Sequence, residues 1–268
     1  MKIQLLVPTM EAVDFSKVTE MNLHNVDVIF ANQADKMAYE EKEFPERNVR
    51  AVMVSTNTRG VSLNRNIALA YASGDIIVFA DDDQILTDDF SDKVLREFQN
   101  HPEADAIKFS CESTNPQRPL FYHNPQKFQK AQCWSIMSAG VHALALRREK
   151  FEKYDIRFSN SIGPGNRINC GEDSDFLKKL IWSPLRIYRS PEMISYVKQD
   201  GSTWFHGYDE HYFITSGYIY EKVYGWLAGL FLVRKAWKLR KKSTLSFAEM
   251  VSLQRRGVRE YRDNPIIK

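Results

Sequence analysis

Cysteine is scarce in this chain. Of 268 residues only Cys111, Cys133 and Cys170 are cysteine, an odd number with no paired spacing. That argues against a disulfide framework and a zinc site, and for a reducing compartment. Long hydrophobic runs are also missing. Val223 to Val233 is apolar but eleven residues long, too short to cross a bilayer. The opening Met1 to Pro8 has too short an apolar run for a secretory leader and no small-residue cleavage site, so it reads as a first strand. There is no internal repeat and no low-complexity tract. Acidic residues thin out near the end: from Arg234 to Lys268 eleven Lys or Arg face three Asp or Glu, although the whole chain carries only +3. An anionic partner is therefore expected for the tail and not for the mildly acidic body. No recognisable nucleic-acid-binding module accompanies that charge, so nucleic acid is not expected as a partner.

What is present is enough apolar sequence to bury a sizeable core. Short apolar runs at Ile3 to Val7, Val26 to Ala31, Val49 to Val54 and Ile76 to Ala80 read as strands buried on both faces. Helical spacing follows at Glu11 to His24, at Leu63 to Ala72 with Ser62 as N-cap, and at Asp89 to Phe98. This alternation predicts an α/β fold: a mostly parallel central sheet with flanking helices, Rossmann-like. In such sheets ligands bind beyond the carboxyl ends of the strands, where Thr9, Asn32 and Asp81 to Asp83 fall. Further on, Ala104 to Phe109 and Val141 to Leu146 read as strands, and residues 113–126 as a loop. A glycine loop, 160–169, runs into Gly171-Glu172-Asp173, which opens a helix through Ile181.

Asp81-Asp82-Asp83 carries the chemistry. On a continuing strand Asp81 and Asp83 share a face and Asp82 opposes them. Converging carboxylates repel, and a divalent cation held between them and an anionic substrate relieves the repulsion. Oxygen ligands of this kind suit magnesium or manganese. The competing reading is a run of acids capping the next helix, a role that Thr87-Asp88-Asp89 already fill.

The ordered set Gly60-Val61-Ser62-Leu63-Asn64-Arg65-Asn66, Ser73-Gly74-Asp75, the strand ending in Asp81-Asp82-Asp83, and Gly171-Glu172-Asp173 resembles the family 2 glycosyltransferases of the GT-A fold. The resemblance covers roughly residues 3–182. It implies an inverting, metal-dependent glycosyltransferase. Asp81 and Asp82 would meet a nucleotide-sugar donor, most naturally a UDP-sugar, with Thr9 and Asn32 near its base and ribose. The family more often has Asp where Asn32 stands. Arg65 would pair with phosphate or with Asp81, or lie on the surface. Asp83, the last acid of the Asp-x-Asp motif, would hold Mn2+ or Mg2+. The family's third metal contact is a histidine after the second acidic motif. Met193 to Asp200 contains none, which leaves His206, beside Trp204 and Phe205, as candidate ligand or as a packed aromatic neighbour. Asp173 would be the general base, with Glu172, Gln132 and Trp134 toward a saccharide or lipid-linked saccharide acceptor. For Glu172-Asp173 helix N-terminal acids, and for Trp134 a core position, are the alternatives.

Residues 1–215 are expected to form the GT-A domain, with a donor half at about 1–110 and an acceptor half at about 111–215. Residues 216–268 are expected to form a helical, basic extension. Aromatics together with six cations and no acid between residues 234 and 242 suit an interfacial helix on anionic lipid. A cytoplasmic protein, peripheral on the inner face of the plasma membrane and active in surface polysaccharide or glycolipid synthesis, is the resulting expectation. Two other readings remain open. A sugar nucleotidyltransferase would need a glycine-rich basic loop after the first strand, and Thr9 to Val13 is not one. A catalytically silent scaffold of this fold would be expected to lack a base or metal acid, and neither is missing.

Overall fold

The computed structural model describes residues 1–117, 119–120, 123–137, 139–198 and 207–264. In chain order the first half contains β1 (Ile3–Met10), α1 (Lys17–Glu20), β2 (Asp27–Gln33), β3 (Ala38–Phe44), β4 (Val49–Thr56), α2 (Val61–Ala70), β5 (Ile76–Phe79), β6 (Gln84–Leu86) and α3 (Phe90–Asn100). Next come β7 (Ala106–Ser113), β8 (Gln129–Lys130), α4 (Cys133–Ile136), β9 (Leu144–Arg147), α5 (Arg148–Glu152), α6 (Glu172–Ile181) and β10 (Ile187–Val197). Three helices close the chain: α7 (Glu210–Tyr224), α8 (Ala228–Leu239) and α9 (Phe247–Asp263).

The strands form one sheet in the order β3-β4-β2-β1-β5-β9-β7-β10-β6, with β8 paired to β10. β4, β2, β1 and β5 are mutually parallel, and β7 and β10 run the same way. β9 is antiparallel to both β5 and β7, and β3, β6 and β8 are antiparallel additions. The shared direction of the central strands matches the expected α/β class. The reversed strands were not legible. β3 reads Ala-Tyr-Glu-Glu-Lys-Glu-Phe and is largely exposed, because a sheet edge is protected by charge and so lacks the apolar signature of a strand.

Strand alternation divides the core in two. Leu6, Ile29, Ile77 and Phe79 face one side; Leu5, Val28, Phe30, Ile76 and Val78 face the other. Phe79 meets Phe158 and Phe176 edge-on at 5.5 and 5.6 Å, and those two rings stack at 4.0 Å. Burying such a ring contributes about 2–3 kcal/mol. The helix expected over residues 11–24 is a single turn, α1, because Glu11, Asn22 and Asn25 all sit at positive φ. Ser62 is not the N-cap of α2. Gly60 is, and the Ser62 hydroxyl donates instead to the carbonyl of Ile162 at 2.7 Å.

α7 crosses the boundary expected at residue 215. It packs on α6 on one side and on α9 on the other. The α7–α9 crossing is unusually close. A Cβ on Gly217 would stand 2.0 Å from the Gln254 carbonyl oxygen, and one on Gly257 would stand 1.9 Å from that of Ile214. Only glycine allows the two backbones to touch in this way. Gly257→Leu must therefore push the helices apart, and should lower stability by about 3 kcal/mol or more. Thermal unfolding checks this, and an unchanged melting temperature would contradict the crossing.

Candidate active site

Because β1, β2, β4 and β5 are parallel, their carboxyl ends share one edge. Thr9 lies beside Asn32 in register, and Asn32 beside Ser55. β5 stops at Phe79, so the alternation of strand faces does not reach the acidic triplet. Asp81 to Asp83 occupy the turn into β6. There the Asp81 amide donates to Gln84 Oε1 at 2.8 Å, Gln84 Nε2 donates to Ser195 Oγ at 2.7 Å, and the Lys198 amide donates to the Asp83 carbonyl at 3.1 Å. Each acid consequently has its own surroundings, and the expected arrangement of two acids against one is replaced. Asp81 accepts from Arg65 Nη2 at 2.8 Å; Asp82 accepts from Thr9 Oγ1 at 2.7 Å. Asp83 has no ion pair among the described residues.

Three consecutive residues of α2 organise this edge. Asn64 donates to the carbonyls of Thr9 and Ala31 at 3.1 and 2.6 Å, fixing the helix to the ends of β1 and β2. Asn66 exchanges hydrogen bonds with the Phe158 backbone at 2.9 Å each way, tying α2 to the loop that leads to the second acidic motif. Between them Arg65 is buried, with 5% of its side chain exposed. Its Nη1 reaches Asp173 at 2.7 Å and Glu172 at 3.7 Å, while Nη2 holds Asp81. Of the three roles open to Arg65, pairing with Asp81 is the one the structure adopts.

Glu172 and Asp173 open α6 as expected. The second oxygen of Asp173 accepts the Val141 amide at 3.2 Å. That amide precedes His142, whose Nδ1 is 4.0 Å from Asp81. Lys108 donates to the His142 carbonyl. Residues 141–143 read as strand in the sequence. They turn instead, with Gly140 at φ +67°; a Cβ there would stand 2.7 Å from the His142 ring and 3.3 Å from Asp173. His142, Lys108 and the Val141 amide had no local signal in the sequence, because β7 and the turn into β9, distant from both acidic motifs in the chain, carry them here. Gly140 was the one available hint.

Electrostatics follow from this packing. Burial opposes the Arg65 charge, but Asp173, Asp81 and Glu172 overcome it and hold its proton more tightly than usual. Burial likewise opposes ionised Asp81, and Arg65 outweighs it, so the Asp81 carboxyl lies below the usual range. Burial and then repulsion by Asp173 push Glu172 upward. Burial, reinforced by Lys108, drives His142 down to about 3 and keeps the ring neutral. Loss of water contacts, with repulsion from Asp81 and Asp82, raises Asp83 to about 7, although the residue lies at the surface.

A family model for glycosyl transferase family 2 matches residues 18–155, half of the chain, and spans α2 and the acidic turn. The chain belongs to that family. An uncharacterized glycosyltransferase of Haemophilus influenzae is 25% identical over 186 residues, covering 67% of this chain. The chain spans 60% of that relative's length. The fold is that of S. aureus TarS. TarS 1–349 in complex with UDP-GlcNAc superposes with a TM-score of 0.61 at 15% identity, over 98% of this chain and 73% of TarS 1–349. A second TarS 1–349 structure gives 0.59 at 13%, over 99% and 73%. This fold likeness bears out the GT-A expectation.

The remaining expected site residues of this family 2 chain fall as follows. Thr9 is buried beside Asp82. Asn32 is fully buried, and its amide is spent on the Ala12 backbone and Ser55 Oγ. It holds the β1–α1 loop and does not reach the edge. Gln132 is the exposed N-cap of α4, and Trp134 lies on that helix, which Ser174 of α6 anchors through the Met137 carbonyl at 2.9 Å. His206 lies outside the described residues, as do residues 199–205. A surface cavity of about 630 Å3 is lined by Tyr154, Arg157, Phe158, Lys179 and Trp182 among others; none of the acids above lines it.

No group of three His, Cys, Asp or Glu that could hold a metal occurs among the described residues. A diphosphate-bridging magnesium or manganese takes only one or two protein carboxylates and completes its shell with phosphate and water. Asp83 fits that demand, being a crowded carboxylate without a cation. The edge as a whole also fits it. Arg65, Lys17 and Lys108 stand against Asp81, Asp82, Asp83, Glu172 and Asp173, so an anionic diphosphate meets net repulsion unless a cation intervenes.

Two expected outcomes follow from these charges. Arg65→Ala leaves Asp81 and Asp173 without their shared partner and should destabilise the fold by about 2–3 kcal/mol at neutral pH. That is less than a fully buried pair would lose, because both acids keep some water. The loss should shrink as the acids protonate, and denaturant unfolding with the same loss at acid and neutral pH would contradict the cluster. Asp83 behaves oppositely. Folded, it keeps its proton to about 7 against an ordinary 3.8, so folding loses stability as pH rises between those values and the penalty then stays constant. In metal-free buffer Asp83→Asn should therefore melt above the wild type at alkaline pH and with it at acid pH. Magnesium or manganese should raise the wild-type melting temperature more than that of the variant.

Proposed function

We propose that this protein transfers a sugar from a nucleotide-sugar donor, with a UDP-sugar as the favoured donor, to a saccharide or lipid-linked saccharide acceptor. One observation carries the reading: Arg65 brings Asp81 and Asp173 onto a single guanidinium, although Arg65 and Asp173 are 108 residues apart. The donor-side acid and the candidate base are thereby set side by side at the carboxyl edge of the parallel strands, where this class of sheet binds nucleotides. The UDP-GlcNAc carried by TarS supports a UDP-sugar as donor.

Asp173 is the general base. Arg65 and the Val141 amide each occupy one lone pair of its two oxygens, which fixes the carboxylate plane and leaves capacity to accept the acceptor hydroxyl proton. One base acting on the face opposite the leaving group gives inversion at the anomeric carbon. Glu172, its carboxyl pushed up by burial and by Asp173, can in its protonated form donate a hydrogen bond to the acceptor. Asp82, anchored by Thr9, and Asp81, anchored by Arg65, line the donor side. Asp83 would hold magnesium or manganese, which would supply Lewis-acid neutralisation of the departing diphosphate. The His142 ring, neutral beside Asp81, adds no positive charge there. We place the reaction at the inner face of the plasma membrane, in surface polysaccharide or glycolipid synthesis, on the strength of the basic tail.

A thermal-shift series with UDP-, GDP- and dTDP-sugars, each with and without manganese, tests donor class; one donor should give a metal-dependent rise. Asp173→Asn should keep that rise and slow transfer by about two to four orders of magnitude. A folded Asp173→Asn protein with normal turnover would remove it as base.

A further inference from the structure

The C-terminal helices carry an apolar face with no partner among the described residues. α8 buries Ala228, Leu232 and Ala236 against its neighbours. Its other side presents Leu230, Val233 and Trp237, and the 3-10 turn Gly225–Leu227 that leads into it adds Trp226; the four are 70%, 49%, 58% and 88% exposed. The spacing of four, three and four places all four on one stripe. Phe247 extends it, with its ring 6.1 Å from that of Trp237. Isolated exposed apolar residues need no explanation, but an aligned stripe ended by two tryptophans does.

The charge around the stripe says what covers it. Arg234, Lys238, Arg240, Lys241 and Lys242 are all exposed, and none has an ion pair among the described residues. On α9 Arg256 pairs with Glu260 and Arg262 with Glu221, while Arg255 and Arg259 are exposed and have no ion pair among the described residues. The sixth cation, Lys235, points inward to Ser216 at 2.8 Å, between the rings of Tyr212 and Tyr220. Five cations thus border the apolar stripe, with Arg240 stacked 3.8 Å over the Trp237 ring, and their charge suits an anionic partner. Tryptophan at both ends, aliphatic residues between and a basic border match the boundary between lipid headgroups and acyl chains. No helix among the described residues is long and apolar enough to cross a membrane. α8, about 18 Å long, can only lie along one.

We infer that α8 docks flat on an anionic membrane surface, with Trp226, Leu230, Val233 and Trp237 entering the headgroup boundary. This deepens the membrane placement proposed above and rests on it. The docking helix is one layer from the second acidic motif: Ile219 of α7 packs directly on Gly171, and Lys235 of α8 lies beside Cys170. A lipid-linked acceptor anchored in the same surface would then arrive next to Glu172 and Asp173.

Sedimentation of the full chain with vesicles tests this. Binding should be strong to phosphatidylcholine–phosphatidylglycerol vesicles at low salt, weak to phosphatidylcholine alone, and reduced by high salt. The Trp226→Ser/Trp237→Ser double variant should bind about tenfold or more weakly. Reversing Lys238, Lys241 and Lys242 to Glu should lose about a hundredfold. Both variants should keep the donor-induced thermal shift and donor hydrolysis in solution, which separates failure of docking from failure of the glycosyl-transfer reading. Equal vesicle binding by wild type and both variants would overturn the inference. So would self-association, seen by ultracentrifugation, that the tryptophan variant abolishes while no vesicle binds; the stripe would then join copies of this chain.

Discussion

A single buried guanidinium stands where three carboxylates converge, and the site depends on it. Arg65 is out of contact with water, so its charge is tolerable only because Asp81, Asp173 and Glu172 surround it. Those acids in turn come from the β5–β6 turn and the start of α6, elements with no direct strand pairing to each other. Asn64 and Asn66 set the helix that carries Arg65 against β1, β2 and the 158–160 loop. The guanidinium is therefore both the electrostatic centre and the geometric link between the β5–β6 turn and the start of α6.

The charges around it are unequal by construction. Arg65, Lys17 and Lys108 do not neutralise five acids, and the surplus appears in two raised carboxyls: Glu172 rises because it is buried beside Asp173, and Asp83 rises because it loses water contacts and stands against Asp81 and Asp82. A surplus of this kind weakens the empty protein and strengthens its attraction for a cation. Stability is given up at the position where substrate chemistry can recover it.

Much of this was legible in the residues. Four apolar runs became β1, β2, β4 and β5, since a strand buried on both faces leaves an unbroken hydrophobic signature. The Glu172-Asp173 helix start and the α2 helix were also legible, because glycine followed by helix-forming spacing is a local signal. Edge strands such as β3 were hidden by the charge that protects them. The reach of His142 and Lys108 into the site was hidden because it depends on β9 and β7 lying beside β5, which is a matter of sheet order. Asn32 misled for a related reason: its place at a strand end is correct, but its side chain turns inward to hold Ala12. Alternation of faces, sound within β5, was carried as far as Asp83, past Phe79 where that strand ends.

The backbone contact between α7 and α9 at Gly217 and Gly257 has a mechanical meaning. Where two helices touch main chain to main chain there is no soft layer of side chains to shear, so α7 and α9 behave as one strut. α7 also packs on both α6 and α8, so a surface on which α8 docked would be held at a constant height from Asp173. Acceptor choice would then be governed by stature: a glycan whose growing end stood at that height would be extended, and shorter or taller ones would miss the site.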